Sequence, residues 1–235
     1  LAASNVETRF MARSGRSTTV AFVKLVDGQA TYAFYDEGTA GRMLSPADLP
    51  ALPPEIDTLF LGGISLVNDP AASTYEALQA RDRAGSSRGL VAGQAAAYRA
   101  RITRMIARAD LVKLSDEDLH WLEGAGDLTT LARGILSRGP KAVFITEGAK
   151  GARAVTATQN RFVAAKKVTV ADTVGAGDTF NAGVLCALHE AGALTKARIA
   201  TLSDAELDTA LSLGVASAAI TVSRPGANPP WRAEL

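Results

Sequence analysis

The chain has 235 residues, 47% hydrophobic and 21% charged, enough to bury the core of one α/β domain. Lys and Arg number 25 against 24 Asp and Glu, a net charge of +1, which excludes the bulk basic field of a nucleic-acid or anionic-membrane binder. One cysteine, Cys186, excludes an internal disulfide framework and a multi-cysteine zinc site, and two histidines, His120 and His189, leave little for a His-rich metal centre.

No apolar run reads as long enough to span a membrane, and the opening LAASNVETRF lacks the layout of a secretion signal. The expectation is a cytoplasmic protein with neither nucleic acid nor membrane as partner. Residues 17–35 (STTVAFVKLVDGQATYAFY) predict two strands about a turn at Val26-Asp27-Gly28-Gln29, where Gly accepts positive φ and Asp tolerates it. Val20 and Phe22 point one way and Thr19, Ala21 and Val23 the other, so both faces are predicted to be covered. An ordinary strand pair in one core and a small sheet packed over a ligand both fit.

After the Pro-rich connection Leu49 to Pro54, residues Asp57 to Leu61 form a short apolar run ending in Gly62-Gly63. Spacing predicts helices over 71–84 (Leu78 and Ala84 among the apolar positions) and 95–108, with a strand starting at Leu90-Val91 and another at Leu111–Leu114. Residues 116–137 read as a helix in two pieces, broken near Gly124 and Gly126, and Ala142–Ile145 as a buried strand. Alternating strands and helices with continuously apolar strands predict a mostly parallel sheet covered on both faces. Arginine is dense between Arg81 and Arg108. The spacing of Arg101, Arg104 and Arg108 puts them on one helix face, either solvated or steering a phosphate.

Chemistry concentrates in Asp172-Thr173-Val174-Gly175-Ala176-Gly177-Asp178-Thr179-Phe180-Asn181-Ala182-Gly183. Two glycines one residue apart let successive N–H groups converge, and the helical spacing of Phe180, Val184 and Leu188 adds the positive end of a helix dipole. Asp178 sits at the mouth of this anion site, where a carboxylate either caps the helix or takes a proton from an attacking hydroxyl. A dinucleotide fingerprint is excluded because position 180 is Phe where a glycine is needed, and no P-loop motif occurs. Thr146-Glu147-Gly148-Ala149-Lys150-Gly151 follows a buried strand. It fits either a tight turn or a backbone that approaches a nucleotide. Ser115 with Asp118 reads as a capping box, or as an acidic oxygen donor near Mg²⁺-bound phosphates.

With these segments in hand, the chain resembles the PfkB family of carbohydrate kinases, whose C-terminal signature DTVGAGDTFNAG looks like. VKLSDEDLHWL, VFITEGAKGARAV and AAITVSRPGANPPW follow in the family order. TTVAFV and YAFYDEGTA look most like the bacterial fructokinase branch, with 2-keto-3-deoxygluconate kinases as near neighbours. The resemblance implies a single ribokinase-like α/β domain over 1–235. It implies a mostly parallel central sheet with helices on both faces, and a small β-sheet lid within about 17–36. It implies an ATP-dependent, Mg²⁺-requiring sugar kinase, with a non-catalytic sensor or a nucleoside kinase as rivals.

By position, Asp178 would be the base, and Gly175, Ala176 and Gly177 would be the anion hole. Ser115, Thr146, Gly148 and Gly151 would line the ATP site, with Asp118 beside Mg²⁺; Ser115 and Asp118 replace the family's Asn and Glu. Asp172, Val174, Thr221, Arg224 and Gly226 match loops that hold a potassium ion in some members, and Phe34 and Tyr35 of the lid would touch substrate. The lid often pairs subunits, which implies a homodimer. The family's opening strand with its Gly-Gly-x-x-x-Asn segment has no counterpart before Leu1. After Leu90-Val91 the Asp-x-Asn-x-Arg loop is replaced by Ala92-Gly93-Gln94. Residues are therefore expected to be missing before Leu1 and near 91–93.

Overall fold

The computed structural model describes residues 2–26, 29–56, 58–81 and 95–235. Asp27 and Gly28 of the predicted turn, Asp57, Ala84 and the stretch 90–94, with its proposed strand and missing loop, lie outside the described residues. The first two strands are β1 (Val20–Val26) and β2 (Gln29–Tyr35), an antiparallel pair in the register Val20↔Tyr35, Phe22↔Ala33 and Val23↔Tyr32. Residues opposite each other share a face. One face therefore carries Val20, Phe22, Ala33 and Tyr35, and the other carries Ala21, Val23, Tyr32 and Phe34. On the first, Phe22 meets Tyr35 edge-on with centroids 5.4 Å apart; on the second, Tyr32 stacks on Phe34 at 5.9 Å.

The predicted helices at 71–84 and 95–108 appear as α1 (Ala71–Arg81) and α2 (Ala95–Ile106). Strand β3 (Leu111–Ser115) leads into α3 (Asp116–Glu123) and α4 (Leu128–Leu136), split at Gly124 and Gly126 as the sequence predicts, and then into β4 (Ala142–Thr146). This crossover makes β3 and β4 parallel, pairing Leu111 with Ala142 and Ser115 with Thr146. β5 (Gly151–Val155) and β6 (Asn160–Ala164) extend the sheet in the order β3-β4-β5-β6, and both added pairings are antiparallel. Their connections, 147–150 and 156–159, are too short for a crossover and permit only hairpins. Among the described residues the larger sheet is thus mixed, with one parallel pair, where the sequence reading expected a mostly parallel one.

Both faces of this sheet are covered. Val112, Leu114, Val143 and Ile145 enter one core with Tyr98, Ile102 and Met105 of α2, and Ala142, Phe144 and Ala154 enter a second. The second core is built by α5 (Ala176–Glu190) and α7 (Asp204–Val222), with the one-turn helix α6 (Lys196–Ile199) between them. Phe180, Val184 and Leu188, the positions singled out by spacing, are all buried there with Leu207 and Leu211. α7 alone among the described helices is long and apolar enough to cross a membrane. Its buried face packs on α5 and on the sheet instead. α5 and α7 approach so closely that a Cβ at Gly183 would lie 2.8 Å from Gly214 Cα, and one at Gly214 would lie 2.9 Å from the Phe180 ring.

The arginine face of α2 is neither bare surface nor a phosphate patch. Arg101 is 8% exposed and binds Asp69 Oδ1 at 2.8 Å and the carbonyl of Leu66 at 3.0 Å. Arg101, Arg104 and Arg108 converge on Glu76 of α1, at 3.5, 2.7 and 3.9 Å. The hydrogen bond from Arg104, then the surrounding positive charge, holds the Glu76 carboxyl below its ordinary range against the opposing effect of burial.

Gly183→Val is expected to cost about 1–3 kcal/mol by overpacking and to lower the unfolding midpoint by several degrees. Gly134→Ala, in α4 with nothing near its Cβ position, should be neutral or stabilising by up to about 1 kcal/mol. Calorimetry on the two variants checks both; equal midpoints would show that the α5–α7 contact tolerates a side chain.

Candidate active site

The segment ahead of α5 bends at Gly175, whose φ of +78° is in the left-handed region and which caps the helix. Its carbonyl accepts the Thr179 amide at 2.9 Å and the Thr179 hydroxyl at 2.8 Å, fixing the first turn. The Ala176 amide donates back to the Thr173 carbonyl at 3.3 Å. Among the described residues the amides of Gly175, Gly177 and Asp178 meet no acceptor. Three bare N–H groups thus stand at the positive end of a helix of 15 residues, with the exposed Asp178 carboxylate in its first turn. A Cβ on Gly177 would meet only the Lys113 Nζ, 3.5 Å away, and that ammonium also lies 5.9 Å over the Phe180 ring. Sequence reasoning missed Lys113. Its place in the β3 alternation marks its face, but the reach to Gly177 exists only in the folded chain.

Asp172 ties this bend to the loop after α7. Its Oδ1 accepts the Val174 amide and its Oδ2 the Gly226 amide, each at 2.9 Å. These two backbone hydrogen bonds, Val174 first, pull the Asp172 carboxyl below the ordinary carboxylate range. Of the other residues matched to a potassium loop, Thr221 is fully buried and gives its hydroxyl to Ser217 O, while the Arg224 guanidinium pairs with Glu234. The side chains of these two are therefore committed elsewhere, and what the loops offer a cation is carbonyl oxygen.

The parallel pair ends with Ser115 beside Thr146, at the carboxyl edge of the sheet where open α/β folds bind ligands. The capping box is present: Asp118 N donates to Ser115 Oγ at 3.0 Å and Ser115 N to Asp118 Oδ2 at 3.3 Å. Asp116, Glu117 and Asp118 make the first turn of α3 acidic, but among the described residues no three acidic or histidine side chains converge as a metal site. The 146–151 stretch is the tight turn between β4 and β5, closed by Glu147 N to Gly151 O at 2.8 Å. A Cβ on Gly151 would sit 2.2 Å from Val163 O, so close approach to β6 alone requires glycine there. Gly148, at φ +54°, has open space at its Cβ position.

The lid borders a cavity of about 770 Å³, lined by Tyr32, Phe34, Asp36, Arg42, Asn68 and Tyr75. Phe34 and Tyr35, expected to touch substrate, both border it. So does a polar group the sequence did not reveal: Asp36 accepts Arg42 Nη1 at 3.2 Å and Asn68 Nδ2 at 2.7 Å. Asp178 is not among the cavity's lining residues, and Tyr32 links the two regions. Its phenol is raised above its ordinary pKa first by burial and then by the negative charges of Asp172 and Asp178.

Comparison with known proteins places the chain in a family. The model of the pfkB family of carbohydrate kinases matches residues 1–234. Fructokinase of Rhizobium leguminosarum bv. trifolii is 48% identical over 217 residues, covering 88% of this chain and 66% of that protein. Fructokinase of Klebsiella pneumoniae is 31% identical over 203 residues, covering 82% of this chain and again 66% of that protein. The crystal structure of fructokinase from Vibrio cholerae O395, bound to fructose, ADP and a calcium ion, superposes with a TM-score of 0.73 at 25% identity. It covers 92% of this chain and 70% of that one. The architecture is the ribokinase-like α/β fold with a small lid sheet.

A depressed carboxyl contributes stability above its unfolded pKa, about 3.9 for Asp, and loses that contribution as pH falls through the lower folded value. The Val174 and Gly226 amides should therefore resist hydrogen exchange at pH 5 and lose that protection only below the ordinary carboxylate range. In Asp172→Ala the protection should be absent at either pH. Equal exchange in both proteins at pH 5 would show that Asp172 does not hold the two loops together.

Proposed function

The chain belongs to the pfkB family of carbohydrate kinases, and from that premise we propose that it transfers the γ-phosphoryl group of ATP to a sugar hydroxyl, with fructose as the sugar. The observation that carries this reading is the bare-amide bend at Gly175–Gly177 with the exposed Asp178 beside it. The Asp178 carboxylate takes the proton of the sugar hydroxyl. That oxygen bonds to the γ-phosphorus, and the bond from phosphorus to the β–γ bridging oxygen breaks, its electron pair leaving with ADP. Charge spreads over the equatorial oxygens of the transferring group, and fixed amides aimed at that position stabilise it without reorganising. Gly175, Ala176 and Gly177 form this hole, although the Ala176 amide is spent on Thr173 and the direct donors are those of Gly175, Gly177 and Asp178.

Ser115, Thr146 and Gly148 at the sheet's carboxyl edge border the nucleotide, and Gly151 fixes the turn that carries Gly148. Asp118 would hold Mg²⁺ through water or phosphate, and that ion supplies neutralising charge at the phosphates when bound. The carbonyls of Val174, Thr221, Arg224 and Gly226, with Asp172, would hold potassium and stiffen the bend. The lid cavity, with Asp36 and Arg42 as polar groups, would take the part of the sugar away from the reacting hydroxyl, because Asp178 does not line it. The fructokinase relatives favour fructose over 2-keto-3-deoxygluconate. A sensor without catalysis would not need Asp178. The cytoplasm, where ATP is maintained, is the setting this reading implies.

The outward lid face joins the scheme. Val20 and Phe22 are 43% and 62% exposed and do not line the cavity, and a two-stranded sheet is marginal alone. A second copy of the chain, pairing lid to lid, covers this face in the proposal. Phe22→Asp should convert a dimer to a monomer in sedimentation, and a wild-type chain already monomeric at assay concentrations would dispose of it.

The decisive assay measures ADP release by the full chain with fructose, 2-keto-3-deoxygluconate, ribose or adenosine. Fructose should give the highest kcat/KM, and no release with any of the four would defeat the reading. Asp178→Asn should lose about 10²- to 10⁴-fold in kcat while binding ATP as before; wild-type turnover in that variant would strip Asp178 of its role.

A further inference from the structure

We infer that Glu234 is a positioning residue for phosphoryl transfer, acting through Arg224 on the loop that backs the Gly175 bend; the assignment rests on the kinase reading above. The argument begins with what that bend leans on. A Cβ added at Gly175 would lie 3.1 Å from Ala227 Cβ and 3.9 Å from Thr221 Cγ2, so the chain at and after the end of α7 is the wall behind it. The same stretch is stitched to the segment ahead of α5. Val222 O accepts the Ala171 amide at 2.7 Å and the Asp172 amide at 3.2 Å, and Asp172 Oδ2 accepts the Gly226 amide at 2.9 Å. Where residues 223–227 lie therefore sets where the bend lies.

This loop has little of its own to hold it. Residues 225–229 are all exposed and belong to no helix or strand. Segments with so few buried contacts open at low cost. Arg224, at the loop's start, reaches ten residues forward: Nη1 binds Glu234 Oε2 at 3.5 Å and Nη2 binds Oε1, a two-pronged pair. The carboxylate is itself held in place. Its Oε2 accepts the Trp231 amide at 2.7 Å, and the Glu234 amide donates back to Trp231 O at 2.9 Å. An acceptor fixed by its own turn is preorganised, so the pair restrains the arginine and through it the residues two and three positions on, Gly226 and Ala227. A partly exposed ion pair adds little to global stability. Its effect belongs to the loop. Amides aimed at charge that develops in the transition state lose their value when displaced, while ground-state binding is little changed.

The bland alternative is that the pair only tacks down residues 231–234. Arg232 supplies the comparison, since it holds the same stretch to Glu190, the last residue of α5, at 2.9 Å, at the end of the helix remote from the bend. On the full chain, the Gly226 amide of Glu234→Ala should exchange about two- to fivefold faster than in the wild type. kcat with fructose should fall about three- to thirtyfold, with KM for fructose within about twofold. The unfolding midpoint should drop by no more than about 4 °C. Arg224→Ala should reproduce both effects, and the double variant should add nothing to either single one. Glu234→Gln, which keeps an acceptor for Trp231, should recover part of the loss. Arg232→Ala should match the wild type in kcat and in exchange at Gly226. Wild-type kcat in Glu234→Ala would overturn the inference, as would wild-type exchange at Gly226. Equal losses in Glu234→Ala and Arg232→Ala would also overturn it, because they mark a general anchoring of the stretch. If the wild-type chain releases no ADP with any sugar, the kinase reading fails by itself, and exchange at Gly226 still decides whether Glu234 holds the loop.

Discussion

Three backbone amides left without acceptors are the constraint around which this molecule is arranged. The first N–H groups of any helix have no partner within it, so those of α5 are left to water or to a ligand. Gly175 fixes the direction in which they point by turning left-handed, a conformation an L side chain adopts only with strain. The bend is then held from two sides by different physics. On the apolar side, α5 is set against α7 at a glycine–glycine contact with no room for a methyl group. On the polar side, Asp172 binds one amide ahead of the bend and one in the loop after α7. Neither support touches the proposed reaction, yet each fixes where the amides point.

Charge is distributed by the same logic. The chain is nearly neutral overall, so its electrostatics are local. The arginines of α2 are absorbed by Glu76 and Asp69 and knit α1 to α2. Arg161 and Arg138 likewise meet Asp208 and Glu123.

What could be read from the sequence was what is encoded locally. The strand pair at 20–35, the broken helix after Ser115 and the buried face of α5 follow from alternation, a capping box and a period near 3.6. The bend at Gly175 followed from two glycines before a helical run, a signal strong in composition and position. The mixed sheet did not, because β6 is short and half-exposed and its Phe162 and Arg161 resemble a loop. The burial of Arg101 was also hidden: periodicity gave its face correctly but not that Glu76 and Asp69 of another segment would meet it there. The Asp36, Arg42 and Asn68 group joins residues 32 positions apart and has no local signature.

The lid is where local encoding gives out and tertiary balance takes over. Two strands bury too little surface to hold themselves in place, so whatever their faces meet decides where β1 and β2 lie. Contrary to the expectation that both faces are covered, both carry exposed apolar side chains, Phe22 and Tyr35 on one and Val23 and Tyr32 on the other. On the other, Tyr32 stacks on Phe34 at the cavity wall, and its phenol stands in the field of Asp172 and Asp178. Burial first, and that field second, oppose ionisation of a phenol whose ordinary pKa of about 10 already keeps it a neutral hydrogen-bond donor across the physiological range. A neutral donor beside two carboxylates is compatible with a polyhydroxylated ligand between them, whereas a phenolate would repel both the carboxylates and any phosphate. The aromatic face thus supplies apolar cover without adding charge of the wrong sign, leaving the helix end to favour an anion there.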